Sequence, residues 1–322
     1  MKFRVWGAFL AVSAIWGASY LFIKVAGEDL APFTLVMVRV GLAVVAIWSA
    51  LLLRGIRPPR DPRTLGWLVL LGLTNMVIPF TLITWGEQTI DSGVASVLIS
   101  TAPLFTLLIA HLALRDERIT WLKTAGIVAG FAGILLIFSR SLGSFAAAGV
   151  TTAGWPVLRG QLAVIAAALS YATSAVIVRR SLRHVQPIFV AVIPLSAALA
   201  GSLIGALAFE APLTLRMGTP ALLSILSLGL LGTALAHPLY FYVIRSWGAT
   251  RGMLVTYVSP VVSVILGALV LGEPLDARLL GGFALIAGGM VLANRQPHSA
   301  APAALPTAEL ESVASESAPI VR

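Results

Sequence analysis

Apolar runs of about twenty residues follow one another along almost the whole chain, separated by short breaks that hold Gly, Pro or charged residues. The runs cover residues 6–26, 32–53, 65–86, 93–114, 121–139, 160–178, 187–209, 220–244, 250–272 and 278–294. Spanning a bilayer as a helix takes about 20 mostly apolar residues. The hydrocarbon interior offers no water to bare backbone groups, so each run is expected to be helical. A membrane barrel would show strands of alternating polarity, and these runs are continuous instead. The pattern predicts an all-α polytopic membrane protein of ten transmembrane helices. The first run is long and followed by Gly27-Glu28-Asp29, a poor cleavage site, so it reads as a span and not as a signal peptide.

The stretch from Ser92 to Leu135 is repeated by the stretch from Ala249 to Val291. Pro103, Glu117, Gly126 and Gly133 in the first copy match Pro260, Glu273, Gly282 and Gly289 in the second, with spacings that agree to within one residue. Duplicated apolar helices organised around prolines mark a transporter built from two repeats. The expected organisation is a first repeat of five helices at 1–140, a loop at 141–159, a second repeat at 160–295 and a tail at 296–322. The tail is rich in Ala, Pro, Ser and Glu without periodicity, a composition expected to be disordered. Five helices leave the chain on the opposite face, so the two repeats must be inverted relative to one another.

Composition excludes a soluble domain. Charged residues make up 11% and apolar ones 58%, against about 25% charged in soluble proteins. The net charge of +9 would suggest nucleic acid in a soluble chain. Here it reads as loop Lys and Arg that orient the spans, so no nucleic-acid partner is expected, and the lipid bilayer takes that place. With a cytoplasmic N-terminus, that side collects Arg54, Arg57, Arg60, Arg63, Arg115, Arg118, Lys123, Arg179, Arg180 and Arg183, while the other side keeps chiefly Lys24, Arg140, Arg159, Arg216 and Arg278. The positive-inside rule therefore predicts both termini in the cytoplasm of a multi-pass protein in the cytoplasmic (inner) membrane. There is no cysteine, which excludes disulfides and thiol chemistry.

Together these residues resemble the EamA-type transporters of the drug/metabolite transporter superfamily, over residues 6 to about 295. The matching pieces are Trp16-Gly17-Ala18-Ser19, Phe33 to Arg39, Ser100-Thr101-Ala102-Pro103 and Asp116-Glu117-Arg118, then Tyr257-Val258-Ser259-Pro260, Gly272-Glu273-Pro274-Leu275 and the glycine pairs Gly281-Gly282 and Gly288-Gly289. The resemblance implies a ten-helix carrier of inverted five-helix repeats, usually exporting metabolites, amino acids or drugs by alternating access.

Several positions in the spans are candidates for contact with a small-molecule substrate. Arg39 lies inside the second run, where a charge costs at least ~2.5 kcal/mol unless paired or wet. It either anchors an anionic group in the outer part of a central cavity, or snorkels to the outer interface, or bonds helix-end carbonyls. Trp16, Tyr20 and Lys24 recur every four residues on one stripe. The two aromatics either line a cavity or pack, and Lys24 is expected to anchor at the interface. By the repeat, Tyr171 corresponds to Trp16. Ser96, Ser100, Pro103 and His111 share a stripe in the fourth run, matched by Met253, Tyr257 and Pro260 in the ninth. Proline frees a carbonyl and kinks the helix, at Pro79, Pro103 and Pro260, giving a polar spot or only a packing kink. Asn75, and His237 with Pro238 and Tyr240, are further polar positions in the third and eighth runs.

Gly126, Gly130 and Gly133, with Ala284, Gly288 and Gly289, have close-packing spacing, within the chain or between the protomers of a homodimer. Glu117 and Glu273 are expected to cap the helices that follow them. No Asp or Glu falls deep in a run, since Glu28, Asp29, Glu87, Asp91 and Glu210 all sit at ends. Proton coupling through His111 or His237, exchange, and facilitated diffusion all stay open. No P-loop, zinc motif or nucleophile elbow is present, and neither cofactor, metal nor catalytic residue is expected. The alternatives to a carrier are a membrane enzyme acting on a lipid or isoprenoid, which would need clustered carboxylates or histidines, or a channel.

Overall fold

The structure is a computed structural model that describes residues 2–52, 59, 61–114, 120–147, 155–210, 215–248 and 252–294. Arg57, Pro58, Arg60, Glu117 and the tail at 296–322 lie outside the described residues. The helices in chain order are α1 (Lys2–Ala26), α2 (Pro32–Leu52), α3 (Pro62–Glu87), α4 (Ser92–Ala113), α5 (Trp121–Ala147), α6 (Trp155–Ser181), α7 (Pro187–Phe209), α8 (Thr219–Trp247), α9 (Val255–Val270) and α10 (Ala277–Asn294). Among the described residues there is no strand. By length and composition, 9 of these helices can cross a membrane, and α9 is a shorter apolar helix. The protein is an all-α membrane protein of two inverted five-helix repeats.

The ends follow local chemistry. Proline opens α2, α3, α6, α7 and α8 in the first turn, where its missing N–H has no helical partner to lose. Asp61 precedes α3 and accepts from the Thr64 N–H at 2.8 Å; the Thr64 hydroxyl first, and this N–H second, hold its carboxyl below the usual carboxylate range. The connection between the repeats is shorter than 141–159, because the Ser-Leu-Gly-Ser-Phe-Ala-Ala run continues α5 to Ala147 and Pro156 starts α6.

Helix packing carries the repeat symmetry. Helix α1 packs on α9 and α8, and its repeat mate α6 packs on α4 and α3. Helix α2 packs on α8, and its mate α7 packs on α3. The pairs α2–α7 and α5–α10 map onto themselves. Each helix of one repeat therefore packs on the other repeat, and the interior lies between the two.

The α5–α10 pair is built on glycine. A Cβ at Gly126 would stand 2.3 Å from the Gly289 carbonyl oxygen, and one at Gly133 would stand 2.6 Å from that of Gly282. The expected close-packing contact thus lies within the chain, with one change of register. Gly282 and Gly289 face α5, while Ala284 and Gly288 face outward, Gly288 into open space. The outer surface is apolar, with Leu112, Val128, Leu135, Ile204, Leu207 and Leu269 all exposed. An apolar band of that extent suits lipid and not water.

Candidate functional site

Two π-helical segments flank the centre, one in each repeat. Leu73–Val77 interrupts α3 just ahead of Pro79, and Ser227–Leu235 interrupts α8 just ahead of Pro238. A proline in mid-helix removes one N–H and leaves a carbonyl in the preceding turn without its partner. In α3 the Thr74 carbonyl is taken up by the Ser170 hydroxyl of α6 at 2.6 Å, and Ser174 donates to the Thr74 hydroxyl at 3.0 Å. In α8 the Thr233 carbonyl is met by His237 Nδ1 at 2.9 Å. A carbonyl only accepts, so Nδ1 carries the proton in this bond.

The α8 segment receives two side chains from the first repeat. Trp16 Nε1 donates to the Gly232 carbonyl at 3.1 Å. Arg39 Nε donates to the Thr233 hydroxyl at 3.0 Å, while that hydroxyl donates to the Leu228 carbonyl at 2.9 Å. The Arg39 guanidinium lies 4.0 Å from the centroid of the Phe80 ring, a cation–π contact strengthened by exclusion of water. Arg39 is only 5% exposed, so it does not snorkel to the surface. Its terminal nitrogens make no hydrogen bond among the described residues. Tyr20, Tyr171 and Glu87 lie within electrostatic reach of it.

Around this charge the rings form a partly apolar wall. Trp16 meets His237 edge-on at 5.7 Å and Tyr240 at 4.9 Å between centroids. Tyr20 and Tyr171 pack on the same buried group, which includes Leu35, Ile83, Ala167 and Leu228. Lys24 turns inward and caps α3, donating to the carbonyls of Glu87 and, at 2.7 Å, of Ile90. A lysine on a helix C-terminus satisfies end carbonyls and complements the dipole. The residue read as an interfacial anchor is half-buried and also serves as a helix cap. The arrangement offers a fork of N–H donors, aromatic faces and hydroxyls where the two repeats meet, which suits a small polar or aromatic organic solute.

A sequence model of the EamA-like transporter family matches residues 5–139 and again residues 158–295. The chain belongs to that family. It is similar to the uncharacterized transporter YoaV of Bacillus subtilis (strain 168), at 26% identity over 283 residues, covering 88% of this chain and 94% of that protein. The uncharacterized inner membrane transporter YedA of Escherichia coli (strain K12) is 30% identical, with 86% of this chain and 87% of YedA covered. A probable terminal-alkyne amino-acid exporter of Streptantibioticus cattleyicolor is 29% identical, with 90% and 93% covered. A solved crystal structure matches with a TM-score of 0.62 at 22% identity, over 91% of this chain and 98% of that one, and shows the shared fold. The names of the family and of these relatives point to a membrane transporter and away from an enzyme.

The EamA-like fold brings together five of the residues singled out from the sequence, namely Trp16, Tyr20, Arg39, Tyr171 and His237. It sets others apart. Tyr257 packs with Leu104, Ile127 and Met290, between α4, α5 and α10. The Ser100 hydroxyl turns back onto the Val97 carbonyl at 2.6 Å, at a break in α4 just before Pro103. Asn75 sits half-buried within the α3 π segment ahead of Pro79. Pro260 lies inside α9 without a break, where the Ser259 carbonyl comes close to Gly17 of α1. His111 is exposed in the last turn of α4, away from the centre.

Three contributors escaped the sequence reading: Phe80, Thr233 and Glu87. Thr233 stands one turn before His237 and so shares its face, a signal that was available. Phe80 carries no mark distinguishing it from any other apolar residue. Glu87 does fall at a helix end, but only 1% of its surface is exposed.

Proposed function

We propose that this chain is a secondary transporter that exports small organic solutes, such as metabolites, amino acids or drugs, across the cytoplasmic membrane by alternating access. The observation that carries this reading is the meeting of Arg39 and Trp16 of one repeat with Thr233, Gly232 and His237 of the other. Two repeats that share a central site can each close one side of it. The π segments at the centre support the reading, because irregular turns ahead of a proline are places where a helix bends. One relative is named a probable terminal-alkyne amino-acid exporter, and an amino acid's carboxylate would match the free end of the Arg39 fork. The excess of Lys and Arg in one set of loops supports a cytoplasmic position for both termini.

The test is efflux and counterflow with the purified protein in liposomes loaded with labelled amino acids, and a parallel screen of metabolites and drugs. Both variants are expected to insert normally, Trp16→Ala losing transport of solutes that the unaltered protein moves and Arg39→Gln losing chiefly that of carboxylate-bearing ones. Full transport by both variants would put the site elsewhere, and no transport of any solute by the unaltered protein would count against the reading itself.

A further inference from the structure

Glu87 ends α3 and is among the largest fully buried side chains, at 1% exposure. Among the described residues, neither of its carboxylate oxygens has a hydrogen-bond partner. The contrast with two other glutamates is sharp. Glu210 accepts from the Phe33 and Thr34 amides and the Thr34 hydroxyl, and Glu273 accepts from the Ser92 and Gly93 amides and the Ser92 hydroxyl. Each of those two carboxylates is met by three donors. Glu87 has none.

The titratable and charged groups facing Glu87 are Lys24 and Tyr20 of α1, Arg39 of α2 and Glu273 ahead of α10. Tyr171 of α6 faces Arg39 behind them. The two cations attract an ionised Glu87, but neither donates to its carboxylate oxygens. The Lys24 ammonium is engaged by the carbonyls of Glu87 and Ile90, and the Arg39 guanidinium by Thr233 and Phe80. Glu273 repels it. An ionised carboxylate removed from water without donors is strongly disfavoured even after relaxation, and a neutral carboxyl far less so.

We propose that Glu87 is a proton-binding site, holding its proton while the helices are closed around the end of α3 and releasing it to water when they part. Only the carboxyl O–H bond breaks in that step: the proton passes to water and the carboxylate keeps the electron pair, and closure reverses it. Ionised Glu87 then draws on Lys24 and Arg39, so its proton and the charge state of the centre are linked. The inference adds a coupling ion to the transporter reading. The protonation itself depends only on burial and does not require that any solute be carried.

Infrared difference spectroscopy of the purified full chain tests it without a substrate. Near neutral pH, where an ordinary Glu carboxyl (pKa about 4.3) is ionised, the unaltered protein should show the C=O band of a protonated carboxyl. That band should be lost in Glu87→Gln and kept in Glu210→Gln and Glu273→Gln. Should Glu87→Gln fail to insert, Glu87→Asp should move the band while leaving a titratable group. No protonated-carboxyl band in the unaltered protein, a band that survives Glu87→Gln, or one identical in Glu87→Asp would each overturn the proposal. Because none of these outcomes depends on transport, they separate the fate of this inference from that of the transporter reading.

Discussion

Glu273, which follows α9, accepts a hydrogen bond from the backbone N–H of Ser92 at 2.7 Å, at the first turn of α4 in the other repeat. Its second oxygen accepts from the Ser92 hydroxyl at 2.9 Å and the Gly93 amide at 3.1 Å. A carboxylate placed on the free N–H groups of a helix start also meets the positive end of the helix dipole. The sequence suggested that Glu273 would cap the helix that follows it. The chain turns the other way because Gly272 adopts a φ of +69° and the Glu273 amide donates back to the Gly267 carbonyl at 3.1 Å. That turn reverses the chain out of α9 and aims the carboxylate at α4. Glu210 does the same for α2, accepting from Phe33 and Thr34. Two carboxylates of the second repeat thus hold two helix starts of the first.

Removing that charge should loosen the contact between the repeats. Hydrogen bonds to a charged group contribute about 1.5–3 kcal/mol each, so Glu273→Gln is expected to lower the melting temperature of the purified protein. Combining it with Ser92→Ala should give less than the sum of the two single losses, because both act on one contact. Strict additivity in the double-mutant cycle would show that the two residues do not cooperate.

The glycine contact between α5 and α10 makes a sharper stability prediction. Gly126→Val places a branched side chain where even a Cβ stands 2.3 Å from the Gly289 carbonyl oxygen. Backbone cannot yield there as a flexible side chain would, and overpacking costs about 1–3 kcal/mol or more. Gly288→Ala meets nothing within 4 Å and should leave thermal stability unchanged. Equal effects of the two substitutions would contradict the observed register.

What could be read from the sequence was periodic or compositional. Ten apolar runs, the duplicated Pro, Glu and Gly registers, and the α5–α10 glycines all repeat at spacings that a helix fixes. Trp16, Tyr20 and Arg39 were legible because large polar-tipped or charged residues are costly in lipid and so must turn inward. What covers a helix end was not legible. Glu87 was legible only as a carboxylate at the end of a run, because position along a helix says nothing of the neighbours packed over it. Tyr257 was placed beside the centre by analogy with its stripe, yet the repeat carries it against Leu104, Ile127 and Met290. The π segments were hidden as well, since one extra residue in a turn hardly disturbs an unbroken apolar run.

Orientation can be checked one residue at a time, because the chain has no cysteine of its own. Leu275, just before α10, and Arg183, just after α6, are both exposed. In intact cells Leu275→Cys should react with an impermeant thiol reagent and Arg183→Cys should not. The reverse pattern would turn the protein over in the membrane and undo the cytoplasmic placement of its termini.

Arg39 gives the prediction that bears most directly on the solute. Thr233 fixes its Nε and Phe80 sets the plane of the guanidinium, which leaves the two terminal nitrogens oriented as a fork. A fork of that kind pairs with a carboxylate through two parallel bonds, and a lysine ammonium cannot reproduce it. Arg39→Lys keeps the charge and removes the fork, so transport of carboxylate-bearing solutes should fall on the order of tenfold, the equivalent of about 1.4 kcal/mol. Neutral solutes should be moved nearly as before. Thr233→Val keeps the arginine but frees its Nε, and should give a smaller loss with the same preference. A purely structural Arg39 behaves differently: Arg39→Lys would then reduce transport of charged and neutral solutes alike, with a matching fall in thermal stability. Rates for paired carboxylate and amide forms of one solute, measured in liposomes beside the melting temperature of each variant, separate the two, and equal loss for both forms would remove Arg39 from the binding site.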